Sequence, residues 1–324
     1  MYSFKELQEI VKGEIRDSRY PAWLPELYEP IAYIMNLEGK RLRPCLTLMS
    51  CNLFREEIEP ALSAALAIEL FHNFTLMHDD IMDNAPLRRG AATVHEKWDP
   101  NTAILSGDVM LVEAYKLLSQ VEPAYLPQVL EIFNDMAAQV CEGQQLDMNF
   151  EKRDLVGTHE YLQMIERKTA VLLGASLKIG AVTGGASPAD TQELYDFGRK
   201  LGIAFQLQDD YLDLYGNPDK FGKQIGGDIL ANKKTYLLVT AFELAGDREL
   251  SMLREWIRPG TFDPEEKVNA VREIVDGLGI PEKITEDTAR LTGQAFTHLE
   301  RVAVEPERKE VLRDFAEWLL LREK

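Results

Sequence analysis

Cysteine is scarce in this chain. Cys45, Cys51 and Cys141 are the only three in 324 residues, scattered, with no CxxC or metal-ligand spacing. That excludes a disulfide framework and fits a reducing, cytoplasmic setting. Basic charge is also short: 36 Lys and Arg stand against 54 Asp and Glu, a net charge of −18. A nucleic-acid binder needs a basic face to neutralise phosphates, so that class is excluded. Any anionic ligand must be met by a local basic pocket or by bound cations. Long apolar runs are missing as well. The opening stretch, MYSFKELQEIVKGEIRD, mixes charge and apolar residues and lacks the apolar core of a signal peptide. Elsewhere Glu69, His72 and Lys178 interrupt the most apolar segments, so no membrane span is expected. Runs of alternating residues bounded by turn signals are absent, which argues against a sheet, and there is no linker, low-complexity segment or repeat.

What remains is helical periodicity. Residues 57–82 carry apolar side chains at three- and four-residue spacing up to Pro86. Residues 101–119, about 126–150, 168–183 and 189–215 read as further long helices, and the last third has a similar pattern. Short turn signals, NAPLRRGAAT, GGASP, YGNPDKFGKQIGGD and RPGTFDP, separate them. One all-α domain over residues 1–324 is the simplest expectation. Residues 169–185 are rich in Gly, Ala and Ser, which let helices approach closely, so this segment is expected to be central.

Two acidic clusters stand out against this background. Asp79, Asp80 and Asp83 form DDxxD at the end of the apolar 57–82 helix. Asp79 and Asp83 fall roughly 40° apart on one helix face, where like charges repel. A single cluster of this kind is commonly a solvated face. FQLQDDYLD repeats the pattern with Asp209, Asp210 and Asp213 on another apolar helix, and two such clusters are harder to read as surface. Hard divalent cations want carboxylate oxygens, and Mg²⁺ takes a few of them together with substrate phosphates. An EF-hand fails, because Ile81, Met82, Tyr211 and Leu212 stand where its next oxygen ligand belongs.

Basic residues gather around the same stretches. EGKRLRP carries Lys40, Arg41 and Arg43; Arg88 and Arg89 follow the first acids past a proline; Lys168, Lys223 and Lys233 stand in ERKTA, FGKQIGGD and NKKT. Arg grips phosphate oxygens as a fork and Lys as a point charge. Each alone reads as a surface base; their place beside helix ends and acid clusters singles them out. His72 lies seven residues before Asp79, about 20° from its face, so either a packed core imidazole or a diphosphate contact fits its position.

Taken together, GKRLRP, FHNFTLMHDDIMDNAPLRRG, GQQLD, KTA, FQLQDDYLDLYG and GKQIGGDILANKKT resemble, in order, the trans-isoprenyl diphosphate synthases of the polyprenyl synthetase family. These motifs run from residue 39 to 235, and the flanking helices suit the family's length. The resemblance implies an all-α fold, a large helical bundle around a deep central cavity, usually a homodimer. It implies a prenyltransferase joining isopentenyl diphosphate head to tail to an allylic diphosphate (dimethylallyl, geranyl or farnesyl), with three Mg²⁺ per substrate-loaded site. Carried over by motif, Asp79, Asp83 and Asp209 ligate metal, with Asp80, Asp210 and Asp213 in the same catalytic clusters. Lys40, Arg43, His72 and Arg89 hold isopentenyl diphosphate. Arg88, Lys168, Lys223 and Lys233 hold the allylic diphosphate, and Gln206 and Thr169 line the reacting end. In that chemistry an allylic carbon–oxygen bond ionises, and metal and basic groups stabilise the departing diphosphate. No side chain is clearly placed as the final base, so that role falls to the diphosphate.

Product length is expected to depend on residues just before the first motif. Phe74 is bulky, similar to short-chain members, and Thr75 is small, so farnesyl (C15) and geranylgeranyl (C20) products both stay open, with longer chains as the alternative. A class I terpene cyclase would usually carry a different second metal motif and would lack GKRLRP. A non-catalytic prenyltransferase subunit would be expected to lose acids that are intact here.

Overall fold

The computed structural model describes residues 1–216, 225–257, 260 and 262–320. Its described elements are helices apart from one short β-hairpin, in agreement with the expected all-α class. The backbone groups into two compact units. One comprises residues 1–134, 175–195 and 302–312, the other 135–174, 196–301 and 313–324.

The first unit begins with α1 (Phe4–Asp17). Ser3 caps it, accepting from the Glu6 amide while Glu6 returns a bond to Ser3, a capping box. Leu7, Val11 and Ile15, one turn apart, are its buried stripe. Then come α2 (Pro25–Asn36), α3 (Leu42–Phe54) and α4 (Glu59–Met82). α1 packs on α3, and α4 packs on α3 and on α6 (Pro100–Leu118). Asp99 caps α6 through the Thr102 amide, with Pro100 at its start.

The turn between α4 and α6 differs from the helix-only expectation. Leu87–Arg88 (β1) pairs antiparallel with Ala91–Ala92 (β2), followed by the single turn α5 (Val94–Lys97). Arg89 and Gly90 at the hairpin tip have φ of 54° and 79°. Positive φ at both tip residues is what a type I′ two-residue hairpin loop requires.

α9 (Val171–Thr183) contributes its second half to this unit. A Cβ on Gly180 would lie 2.0 Å from the Thr47 carbonyl oxygen, and Ser50 Oγ donates to the Leu177 carbonyl at 2.6 Å. The small-residue segment is thus where α3 and α9 touch backbone to backbone, as its composition predicts.

The second unit holds most of α7 (Leu126–Glu151), α8 (Thr158–Ile165), and the larger part of α10 (Pro188–Tyr215). After it come α11 (Gly227–Leu230), α12 (Tyr236–Leu244), α13 (Asp247–Ile257), α14 (Pro264–Gly277) and α15 (Ile280–Arg301). Its core gathers Phe150, Tyr161, Leu207, Tyr236, Leu253, Val271 and Ile284. The last helix, α16 (Pro306–Leu320), buries Leu312, Phe315, Ala316 and Leu319.

Residues 168–183 are not one regular helix. Glu166–Ala170 forms a π turn, closed by the Val171 amide on the Glu166 carbonyl, before α9 begins. The cause is tertiary. A Cβ on Gly143 of α7 would lie 2.3 Å from the Lys168 nitrogen, and one on Gly202 of α10 would lie 2.7 Å from Ala170 Cα. Two glycines let two helices press on the π turn.

Candidate active site

The first acid cluster is built by the end of α4. Asn84 takes φ of 50°, its amide bonds to the Ile81 carbonyl, and the Ala85 amide reaches the Asp80 carbonyl. That is a Schellman stop, followed by Pro86. It leaves three carboxylates at a helix C-terminus, where the helix dipole is negative and disfavours them. The arrangement therefore calls for cations.

One cation is built in. Asp80, the middle acid, is 1% exposed. Arg88 forks onto it from the hairpin, with Nε 2.8 Å from both carboxylate oxygens and Nη2 2.7 Å from Oδ1. In this structure the Arg88 guanidinium thus faces Asp80. The outer acids differ: Asp79 is half-buried and Asp83 exposed. The DDxxD spacing sorts one acid inward and two outward.

A cationic cluster stands on the same unit. Arg43 Nη1 lies 3.0 Å from His72 Nε2. A guanidinium only donates, so Nε2 accepts and the neutral ring carries its proton on Nδ1. Enclosure, then the charges of Arg43, Arg89, Arg88 and Arg41, push His72 well below the usual imidazole range. Enclosure likewise lowers Arg43 to about 10, opposed by Glu69 and reinforced by Arg89. Arg43 Nε is buried without a hydrogen-bond partner. The Arg89 guanidinium covers Gly39, leaving 2.9 Å between Nη1 and a Cβ placed there. Lys40 is exposed beside them. Crowded guanidinium groups, one with an orphaned donor, around a neutral imidazole form a receptor for an anion of high charge.

Phe74 is half-buried on α4, its ring 4.8 Å from His78 and 5.7 Å from Phe71. Thr75 Oγ1 donates to the His72 carbonyl.

The second unit repeats the sorting of acids near the end of α10. Asp210, again the middle acid, is 3% exposed. It accepts from Tyr161 Oη at 2.5 Å, the Tyr236 amide at 2.8 Å and Gln206 Nε2 at 3.2 Å. Burial pushes its carboxyl up to about 7 against these bonds. Gln206 therefore holds an acid, a role its motif alone did not suggest. Asp209 and Asp213 are half-buried. Asp213 accepts the Asp228 amide at 3.1 Å, and Asp228 lies 3.9 Å from Lys233 Nζ. Lys168 Nζ lies 2.5 Å from Asp147, with Thr169 half-buried next to it in the π turn. Burial, then the Asp210 carboxylate it bonds and the charges of Asp228 and Asp147, raise the Tyr161 phenol well above its usual range. Lys223 lies outside the described residues.

Sequence reasoning passed over Asp147, Tyr161, Asp228, Glu69 and Asn73. Asp147 and Asp228 stand inside quoted motifs, GQQLD and IGGD, and were the findable ones. Among the described residues, no three carboxylate, imidazole or thiol groups converge tightly enough to hold a metal by themselves. Hard oxygen donors at helix C-termini suit a cation shared with phosphates.

Such a helical scaffold, with paired aspartate clusters and a cationic anion receptor, defines a diphosphate-handling enzyme. The polyprenyl synthetase model matches residues 24–275. This chain belongs to the polyprenyl synthetase family and is a prenyltransferase. It is 42% identical over 230 residues to a geranylgeranyl diphosphate synthase of Methanosarcina mazei, covering 70% of this chain and 71% of that one. A crystal structure of a geranylgeranyl pyrophosphate synthase superposes with TM-score 0.94 at 42% identity, over 100% of both chains. The Corynebacterium glutamicum geranylgeranyl pyrophosphate synthase, solved with isoprenyl diphosphate and magnesium, gives TM-score 0.87 at 26% identity, over 99% of this chain and 100% of that one. No helix among the described residues is long and apolar enough to cross a membrane.

Proposed function

We propose that this enzyme condenses isopentenyl diphosphate with allylic diphosphates and stops at a short chain, geranylgeranyl diphosphate being the product its relatives' names favour. One observation carries the reading: α4 holds both an acid cluster and, through His72, a receptor for a highly charged anion. Isopentenyl diphosphate fits that receptor, with Lys40, Arg43, His72 and Arg89 as its partners. Lys168, Lys223 and Lys233 take the allylic diphosphate, and Arg88 joins them if it leaves Asp80.

Asp79, Asp83 and Asp209 would hold magnesium, three ions per loaded site, and bound magnesium would supply charge neutralisation to the departing diphosphate. On this reading residues 1–324 are one catalytic domain. The side chains do the rest. Basic groups fix both diphosphates, Gln206 and Tyr161 hold Asp210, and Thr169 lines the reacting end. The allylic carbon–oxygen bond breaks, the isopentenyl double bond supplies the electron pair for the new carbon–carbon bond, and the proton lost goes to the released diphosphate. Water must be excluded, or it would capture the cation.

A homodimer in the cytosol completes the proposal. Its support is the exposed row Ile104, Leu105, Val112 and Tyr115 along α6. The test is turnover by purified protein with Mg²⁺, labelled isopentenyl diphosphate and each allylic primer, followed by sizing of the dephosphorylated alcohols. A C20 alcohol is expected. A cyclic hydrocarbon would point to a terpene cyclase, longer alcohols to a long-chain synthase, and no product from folded protein to a non-catalytic subunit.

A further inference from the structure

Arg41 stands in the middle of GKRLRP, between two residues assigned to isopentenyl diphosphate, yet its side chain turns the other way. It is 6% exposed, and its backbone is left-handed, with φ of 50° and ψ of 41°. For a residue with a Cβ that conformation costs on the order of 1 kcal/mol, so something must hold it. The guanidinium does so at both ends. Nη2 donates to the carbonyls of Met35 at 2.5 Å and Leu37 at 2.7 Å, two acceptors that the end of α2 leaves open. Nη1 donates to Glu69 Oε1 at 2.7 Å. Glu69, 2% exposed, also accepts from Asn73 Nδ2 at 3.1 Å. Glu69, His72 and Asn73 all belong to α4, so Arg41 ties the end of α2, the start of α3 and the His72 turn into one piece.

We infer that Arg41, clamped by Glu69, is a positioning residue of the isopentenyl diphosphate site. Its inward fork fixes the left-handed turn that sends Lys40 outward and sets Arg43 against His72. The inference rests on the reading of that site as the isopentenyl diphosphate receptor. Glu69 has a second part in it. Its negative charge opposes the lowering of Arg43 and Arg89 by burial and by neighbouring guanidinium groups.

A single substitution would strand a buried charge and confuse folding with positioning. The informative variant therefore removes both partners: Arg41→Met with Glu69→Met, apolar groups of similar reach. Replacing a buried ion pair in this way is commonly neutral for stability. Steady-state kinetics should then show KM for isopentenyl diphosphate raised by ~10-fold or more, with KM for the allylic substrate within about 2-fold of the parent enzyme. Arg41→Lys, which keeps the charge but cannot fork onto two carbonyls and a carboxylate, should show the same split more weakly. It also serves if the double variant fails to fold. Unchanged KM for isopentenyl diphosphate in the folded double variant, or in Arg41→Lys if that alone folds, would overturn the inference, as would an equal rise in both KM values. Lys40→Ala and Arg43→Met are the controls on the site itself. If they leave KM for isopentenyl diphosphate untouched, the receptor has been misassigned, and the inference about Arg41 falls with it.

Discussion

Gly143→Ala tests how the π turn positions Lys168. In a free helix the added methyl would be favourable by ~1 kcal/mol, since Ala is the better helix former. Here the new Cβ would sit 2.3 Å from the Lys168 nitrogen, 2.6 Å from its Cα and 2.8 Å from the Arg167 carbonyl carbon. All three are backbone atoms, which cannot swing aside as a side chain can. Ordinary contact begins near 3.4 Å, so the π turn must retreat by ~1 Å. Overpacking of this kind costs ~1–3 kcal/mol, enough to cancel the helical gain and lower Tm by a few degrees. The catalytic effect should be larger. Lys168 Nζ is 2.5 Å from Asp147, and a shift of ~1 Å in a group that holds substrate costs ~100-fold in rate. Diphosphate release with varied allylic substrate would give kcat/KM, and a thermal melt would give Tm. Gly293→Ala is the control, because nothing lies within 4 Å of a Cβ there. Parent-like kcat/KM and Tm in Gly143→Ala would refute the argument.

Phe74→Ala should lengthen the main product by at least one isoprene unit, read by chromatography of the alcohols; an unchanged distribution would remove Phe74 from chain-length control. Arg88→Met should cost ~3 kcal/mol in urea unfolding, because it strands the buried Asp80 carboxylate, and adding Asp80→Asn should restore most of that loss; equal stability of Arg88→Met and the parent would show the fork to be incidental. His72 is depressed in the folded state, so its contribution is complete above the unfolded imidazole value near 6.5 and is lost as pH falls below it toward the folded value. The Tm of the ligand-free protein should therefore decline from pH 6.5 to 5 more steeply than that of His72→Gln, and parallel curves would contradict the neutral buried ring.

Local rules made much of this molecule legible. The apolar spacing of residues 57–82 announces α4, and Asp-Asn-Ala-Pro announces its stop, because a left-handed Asn and a following proline are features a short segment carries by itself. The 40° spacing of Asp79 and Asp83 likewise follows from helix geometry alone. The sequence was silent where the deciding atoms belong to distant segments. Residues 168–183 read as one continuous helical stretch, and only the pressure at Gly143 and Gly202 shows that its first turn is widened. The anchoring of Asp210 by Tyr161, and of Arg41 by Glu69, joins positions 49 and 28 residues apart. The hairpin escaped notice because two residues per strand are too few to show alternation.

The π turn also sets a counting rule for the chain. A wider turn is a helix carrying one residue more than regular winding needs. Deleting one residue from Glu166–Ala170 would let the α-helix close without a gap, with no hydrogen bond sacrificed. Because the wide turn already absorbs that residue, the helix before it would keep nearly the same facing relative to α9. Tyr161 would stay on Asp210, while Lys168, inside the turn, would be moved off Asp147. The helix itself would tolerate the shorter chain, so what the extra residue supplies is local: the place of Lys168 within the turn.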